Sequence, residues 1–276
     1  MYRGRGLARP DNGAGVQRAF AAVLANPWAD EPRERFAEKV EATDPDRAKF
    51  VRAQLAVAEA RRRAGVRKKA VESEALAASF AGLKNGVAWS GGVGPLLGFD
   101  GSNGAPFRYR RGFVEEATLS APHFLKVASA LFARAPILDL VLRDVKGHAA
   151  ALFASPHLAR IRSLDLSDNK LGDAEIAILA RSPHLSRLRW LSLYFNSVSD
   201  TGVEALAASA TLPALRFVRF DSNPCGDPNP YVDEEDGRTY GLIPSSVGED
   251  LVAKHGPIAW IGDNPSELPP DPETFE

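Results

Sequence analysis

Residues 161–196 read IRSLDLSDNKLGDAEIAILARSPHLSRLRWLSLYFN, and this stretch contains the pattern that decides the fold. Apolar residues occupy the first, fourth and sixth positions of the pattern and Asn occupies the ninth, in copies that start at Ile161, Leu188 and Leu215. Each copy begins 27 residues after the previous one. A fixed interval of about 20 to 29 residues is typical of a chain built from stacked, equivalent units. The pattern therefore predicts a repeat architecture.

Each copy alternates apolar and polar residues in the way that a half-buried strand requires. Leu164 and Leu166 are expected to point inward, and the following Asn is expected to hydrogen-bond backbone groups of neighbouring units where the chain bends. Asp173 and Asp200 are predicted to cap amphipathic helices. The spacing thus predicts an α/β leucine-rich-repeat solenoid like ribonuclease inhibitor, with parallel strands on its concave side and helices on its convex side.

The rest of the chain is predicted to flank these repeats. A degenerate copy of the pattern starts at Ile137, and an atypical first strand and helix begin near Phe113. Such irregularity is expected at the ends of a repeat array, which must cover apolar edges. The predicted order is a disordered leader at 1–15, a helical module at 16–82, a glycine-rich linker or cap at 83–112, the repeats at 113–226 and a C-terminal cap at 227–276.

Several short motifs carry a family resemblance. Residues 24–27 read LANP, residues 47–54 read RAKFVRAQ, residues 111–116 read RGFVEE and residues 255–260 read HGPIAW. Together they resemble the repeat-companion domain and flanking segments of bacterial leucine-rich-repeat proteins, notably those of myxobacteria and planctomycetes. Residues 37–40 read AEKV where the family usually has ADWL, so no role of that Trp transfers to this chain. The resemblance implies an architecture and no general activity.

Composition narrows the function classes. The formal net charge is −1, so the overall balance favours neither a polyanion nor an anionic membrane as partner. The single cysteine, Cys225, cannot form an internal disulfide, which suits a reducing cytoplasm. The sequence shows no secretory signal and no apolar run of about 18 residues. We therefore expect a cytoplasmic protein that does not associate with membranes.

No arrangement of residues predicts catalysis, a cofactor or a metal. The glycine-rich segment at residues 91–94 lacks the lysine of a phosphate-binding loop. His157 and His184 occupy equivalent turns, but no second kind of ligand recurs beside them, and a zinc site needs three or four ligands. The acidic loop between residues 227 and 236 lacks the ligand order of an EF-hand. We therefore predict a protein without catalytic activity, cofactor, metal or small-molecule substrate.

Residues that alternate with the inward-facing leucines must project from the concave face of the strands. On the last repeats this face is predicted to carry three aromatic side chains beside an arginine, with Phe195 close by. Exposed aromatics beside an arginine are typical of a protein-binding hot spot. The alternative is that the C-terminal cap covers them. The predicted protein-binding residues are Trp190, Tyr194, Phe217, Arg219, Asp165, Arg143, Ser192 and Asp221.

Three functional predictions follow from these features. The first is an interaction scaffold that binds a protein partner through the concave face. The second is a regulator or inhibitor of a partner enzyme, such as an immunity protein or a GTPase effector, by analogy with ribonuclease inhibitor. The third is nucleic-acid binding through residues 61–63 and 67–69 together with Arg108, Arg110 and Arg111. Interleaved glutamates and the near-neutral total charge argue against the third prediction.

Overall fold

The protein has a mixed α/β fold. Helices form its N-terminal part, and a six-stranded, mostly parallel sheet follows them in the chain. The structure is a computed structural model that describes residues 13–64, 89–99, 104–225, 231–232, 239–240 and 246–261. Among these residues, no helix combines the length and the apolar character needed to cross a membrane.

Three helices come first in the described chain: α1 (Ala14–Ala25), α2 (Glu31–Val40) and α3 (Pro45–Ala64). They lie within the segment predicted as a helical module, apart from the first residues of α1. α1 begins within the predicted leader, of which residues 1–12 lie outside the described part of the chain. Buried Val23, Phe36 and Val51 pack together with Phe113 of the sheet, which joins the helices to the rest of the fold. The rest of the predicted helical module, residues 65–82, lies outside the described residues.

The strands of the large sheet lie side by side in chain order. They are β1 (Phe107–Arg110), β2 (Phe113–Ser120), β3 (Asp139–Arg143), β4 (Ser163–Asp165), β5 (Trp190–Ser192) and β6 (Phe217–Arg219). β1 pairs with β2 in antiparallel orientation, and each later pair is parallel. β1 departs from the sequence analysis, which placed its residues in a linker or cap, because its pairing with β2 follows no repeat pattern.

Helices connect the parallel strands, as the repeat pattern predicts. They are α5 (Ala121–Arg134), α6 (Ala149–Phe153), α7 (Asp173–Leu179) and α8 (Asp200–Ala207), and the short α4 (Val93–Leu96) precedes the sheet. A 3-10 helix, Pro156–Arg160, follows α6. α7 and α8 approach closely at Gly202, where an added Cβ would lie 2.6 Å from Asp173 Oδ1 at the start of α7.

The apolar residues predicted to point inward form one core. Leu140, Leu164, Leu191 and Val218 are direct partners across β3 to β6, and each is at most 1% exposed. In-register partners on parallel strands place their side chains on the same face of the sheet. The repeated leucines therefore build a continuous apolar layer between the sheet and the helices.

The predicted Asn hydrogen bonds are present. Asn196 Oδ1 accepts from the backbone N of Asn169 at 3.1 Å and of Leu171 at 2.9 Å, and its Nδ2 donates to Leu166 O at 3.0 Å. Asn169 and Asn223 make equivalent bonds to the unit that precedes each of them. The amide side chains thereby satisfy backbone groups that the bends leave without a strand partner.

The helix caps differ from the prediction by one residue. α7 and α8 begin at Asp173 and Asp200, so their N-cap positions are Gly172 and Ser199. The Asp173 carboxylate accepts hydrogen bonds from the backbone N of Ser199 at 2.8 Å and from its hydroxyl at 2.6 Å. Asp173 therefore links two consecutive units instead of capping its own helix.

The described C-terminal residues pack against the last unit of the core. β7 (Tyr231–Val232) and β8 (Thr239–Tyr240) form an antiparallel pair, and α9 (Ser246–His255) follows. The Trp260 ring is buried, with its centroid 5.9 Å from that of Phe220. Leu251 and Ile261 are buried in the same cluster. The predicted acidic loop between residues 227 and 236 falls largely outside the described residues.

Candidate functional site

The predicted protein-binding residues lie on neighbouring strands and on the turns that follow them. Asp165, Ser192 and Arg219 are partners across β4, β5 and β6, and Trp190 is the partner of Phe217. Arg143 ends β3, and Tyr194 and Asp221 lie two residues beyond β5 and β6. The alternation of the strands thus places this set on the face opposite the leucine layer.

Two aromatic residues on this face cover each other. The rings of Trp190 and Phe217 stack with their centroids 6.1 Å apart and their planes 16° apart. Phe217 is only 9% exposed, so the expectation that it would be an exposed aromatic is wrong. Trp190 and Phe217 are direct partners on β5 and β6, so the indole lies over the phenyl ring. The indole therefore shields the Phe217 ring from solvent. Trp190 itself remains half-buried.

Phe195 is an exposed aromatic residue in the turn that follows β5. Its side chain is 56% exposed, and its ring centroid lies 6.0 Å from that of Tyr194. Its φ of 52° is in the left-handed region, which bulky residues rarely adopt. Asp144, Asp168 and Ser222 have the same conformation in the equivalent turns after β3, β4 and β6. Phe195 therefore occupies a turn position that the other units fill with a small polar residue.

Arg219 is held in place between Tyr194 and Asp221. Its Nε and Nη2 donate to the two carboxylate oxygens of Asp221, each at 2.7 Å. The guanidinium carbon lies 4.4 Å from the centroid of the Tyr194 ring. A bidentate pair and a cation–π contact each restrict the orientation of an arginine. Asp221 is 7% exposed, so it supports this arrangement from below and offers little surface to a partner.

The polar end of the face is also internally bonded. Ser167 connects three of the predicted residues, because its carbonyl accepts from Arg143 Nη1 at 3.1 Å and its backbone N donates to Asp165 Oδ1 at 2.8 Å. Its hydroxyl lies 2.8 Å from that of Ser192. Ser192 is only 1% exposed and therefore supports the face without being accessible on it. Arg143 is exposed.

Two of the three arginines proposed for nucleic-acid contact near the first strands are buried. Arg110 donates to Glu116 at 3.0 Å, and Arg111 donates to Glu115 at 3.1 Å and to the backbone carbonyl of Trp28 at 2.8 Å. Since both guanidinium groups are already paired inside the fold, the prediction that they hold a phosphate backbone is wrong. Arg108 is exposed and forms an ion pair with Glu116. The side chains of residues 61–63 and 67–69 lie outside the described residues.

A buried charge cluster joins the N-terminal helices to the sheet, and sequence analysis did not find it. The cluster consists of Arg33, Arg111, Glu115, Asp139 and Arg162. Glu115 is fully buried and accepts from Arg33 Nη2 at 2.5 Å and from Arg111 Nη2 at 3.1 Å. Arg162 Nε donates to Asp139 Oδ1 at 3.0 Å, and Arg162 Nη2 lies 3.8 Å from Glu115 Oε2. Burial lowers the pKa of Arg33, and the nearby Glu115 carboxylate opposes that effect.

Gly112, which lies between Arg111 and Glu115 in the sequence, packs directly against α3. Its φ of 84° is in the left-handed region that favours glycine. An added Cβ would lie 2.7 Å from the Val51 Cα atom, a distance too short for any side chain. The backbone N of Gly112 donates to Gln54 Oε1 at 2.7 Å. The RGFVEE motif at 111–116 thus contains the signal for this junction: a glycine for the close approach and charged residues on both sides of it.

His157 and His184 lie in equivalent turns of consecutive units. Among the described residues, no group of three or more His, Cys, Asp or Glu side chains is placed to hold a metal ion. The His157 ring stacks on Phe132 with centroids 5.6 Å apart. The repeat register therefore accounts for the equivalence of the two histidines.

No protein-family model matches this chain, and no curated protein matches it. Its function must therefore be inferred from its own residues.

Proposed function

We propose that residues 113–225 form a leucine-rich-repeat solenoid of the ribonuclease-inhibitor type. The 27-residue interval, the in-register parallel strands, the connecting helices and the Asn hydrogen bonds support this proposal. The preceding helices would then correspond to the repeat-companion module of bacterial proteins of this kind. In such an architecture the face that carries Trp190 and Arg219 is the concave one.

We infer that the protein is a non-catalytic scaffold of the cytoplasm that binds a protein partner through an aromatic patch, defined here as Trp190, Tyr194, Phe195 and Arg219. Phe195 carries this inference. A bulky residue in the left-handed region costs about 1–3 kcal/mol, and such strain is concentrated at functional sites. In addition, an exposed phenyl ring at this turn exposes apolar surface that the polar residues of the other units do not.

The neighbours of Phe195 suit recognition of a protein. Tyr194 and Arg219 are residue types enriched in interface hot spots, and their mutual contact together with the Asp221 ion pair fixes them before a partner arrives. Binding then requires little ordering of side chains, which lowers the entropic cost of association. The burial of Phe217 and Ser192 beneath the patch adds rigidity.

Phe195→Asp tests the proposal with the least disturbance of the fold. Asp is the residue found at the equivalent turns of Asp144 and Asp168 and tolerates the left-handed conformation better than Phe. The melting temperature should therefore stay the same or rise, whereas binding to the partner should weaken at least about tenfold, as expected for a hot-spot residue.

The partner can be found by affinity capture and mass spectrometry, followed by calorimetric titration of the purified pair. Leu125→Asp is the matched control, because Leu125 is also an exposed apolar residue but lies on α5, away from the strands. A partner should be retained by the wild type and by the control and lost by Phe195→Asp. Equal retention by Phe195→Asp would contradict the proposal. If the partner is an enzyme, its activity with and without this protein separates a regulator from a passive scaffold.

A further inference from the structure

A cavity lies between the N-terminal helices and the first strands, outside the aromatic patch. Its volume is about 310 Å³, within the range of about 300–1,000 Å³ that is usual for small-molecule sites. α1, α2, the start of α3, residues 89–91, β2 and the end of α5 contribute to its wall. Most of the lining is apolar or aromatic, including Val16, Phe20, Phe36, Trp89 and Phe113.

A buried arginine, Arg47, lines this apolar cavity. Arg47 is 5% exposed, and its Nη1 atom is buried without a hydrogen-bond partner among the residues that the structure describes. Five aromatic rings surround the guanidinium carbon, with centroids 5.1 to 5.9 Å away. They belong to Phe36, Phe50, Trp89, Tyr109 and Phe113. Cation–π contacts offset part of the cost of burying the charge, but they leave the Nη1 donor unsatisfied.

The neighbouring carboxylate does not neutralise this donor. Asp44 Oδ1 accepts from the backbone N of Arg47 at 3.0 Å, and Asp44 Oδ2 accepts from Trp89 Nε1 at 3.0 Å. Both oxygens therefore hold the start of α3 and the indole ring in place. Burial lowers the pKa of Arg47 to about 10, so the guanidinium still carries its charge at neutral pH. The second arginine in the cavity wall, Arg134, is exposed to solvent.

We propose that this cavity binds a small monocarboxylate with an apolar body, such as an arylalkanoate or a medium-chain fatty acid. The ligand carboxylate pairs with the Arg47 guanidinium, which turns its buried Nη1 toward the cavity to donate to the ligand, and the apolar body packs against Phe20, Phe36 and Phe113. A neutral ligand would leave the buried donor unpaired. A second negative charge on the ligand would have to lie against an apolar wall, where it would lose its hydration without gaining a partner.

Calorimetric titration of the full chain with 4-phenylbutyrate and with its neutral amide, 4-phenylbutyramide, tests the proposal. The two probes share the apolar body and differ in charge. We expect saturable binding of the carboxylate, and binding of the amide at least about tenfold weaker, because the charge-assisted hydrogen bond is lost. Absence of saturable carboxylate binding, whether the cavity closes in solution or is filled by another part of the chain, would overturn the proposal. Equal affinity for the two probes would also overturn it.

Two variants and a control locate the ligand. Arg47→Met should reduce carboxylate binding to the level of the amide and leave the melting temperature equal or higher, because an apolar side chain replaces a buried cation that lacks a full set of partners. Arg35→Gln is the control and should bind like the wild type, because Arg35 is an exposed arginine of α2 outside the cavity wall. Val16→Phe fills the cavity from α1 without touching the charge and should abolish binding, which keeps the test decisive if Arg47→Met does not fold. Unchanged affinity in either cavity variant would place the ligand elsewhere.

Discussion

The repeats and the charge cluster are stabilised in opposite ways. Between the units that carry β4, β5 and β6, leucines form the buried contacts in the strands, and Asn amides such as that of Asn196 form neutral polar links. At the junction with the helices, Glu115 is fully buried between Arg33 and Arg111. Loss of an uncharged group leaves a cavity or an unpaired donor, whereas loss of one buried charge leaves its partners uncompensated. We therefore expect the loss of a polar side chain to lower the free energy of unfolding less in the repeats than at the junction.

The largest effect is expected for Glu115→Gln. The amide keeps the shape of the side chain but removes a negative charge that is hydrogen-bonded to both Arg33 and Arg111 deep in the cluster. Breaking a buried ion pair by removing one partner typically costs about 3–5 kcal/mol. We expect a loss of that size in the free energy of unfolding, measured by urea denaturation.

Glu31→Gln is the matched control for this substitution. It breaks the ion pair between Arg35 and Glu31, whose side chains are 68% and 72% exposed, and should change the unfolding free energy by less than about 0.5 kcal/mol. A loss below about 1 kcal/mol for Glu115→Gln would mean that water or a rearranged arginine compensates the cluster, and the contrast with the repeats would disappear.

The same contrast explains which parts of the structure the sequence could predict. A local, periodic pattern specifies the strands, the connecting helices and the Asn hydrogen bonds, so residues 137–225 were predictable from spacing alone. The members of the charge cluster, such as Arg33, Glu115 and Arg162, are far apart in sequence and follow no period. Their pairing depends on how the helices dock, and this tertiary information is absent from any single segment.

The sequence predicts which face of the sheet carries the candidate residues, but not how deeply each of them is buried. Strand alternation correctly places Trp190 and Phe217 on the face opposite the leucines. It does not specify that the indole covers the phenyl ring, or that Ser192 and Asp221 lie below the surface. The exposure of Phe195 depends on its left-handed turn, which becomes visible in the sequence only when position 195 is compared with Asp144, Asp168 and Ser222.

A smaller effect is expected for Asn196→Ala within the repeats. The substitution leaves the backbone N of Asn169 and of Leu171 without their acceptor. An unsatisfied buried backbone donor costs about 1–3 kcal/mol, and partial access of water at this half-buried residue should keep the loss near the lower end. Urea denaturation measures the loss, and Ser197→Ala, an exposed neighbour in the same turn, serves as the control. A loss as large as that of Glu115→Gln would show that the repeats are no more tolerant than the junction.

The smallest effect concerns the exposed pair that connects α8 to α9. The hydrogen bond from Lys254 lowers the pKa of Glu204 below its usual value of 4.5, and the charges of Lys254 and His255 contribute in the same direction. Because the folded state favours the ionised carboxylate, its contribution is complete above the unfolded pKa and is lost as the pH falls through the folded pKa. The melting temperature of Glu204→Gln should therefore be slightly below that of the wild type at pH 7, and the gap should close at pH values below about 4.5. A gap that stays constant with pH would mean that the charge of Glu204 does not stabilise α9, which would then be held by apolar contacts such as that of Leu251.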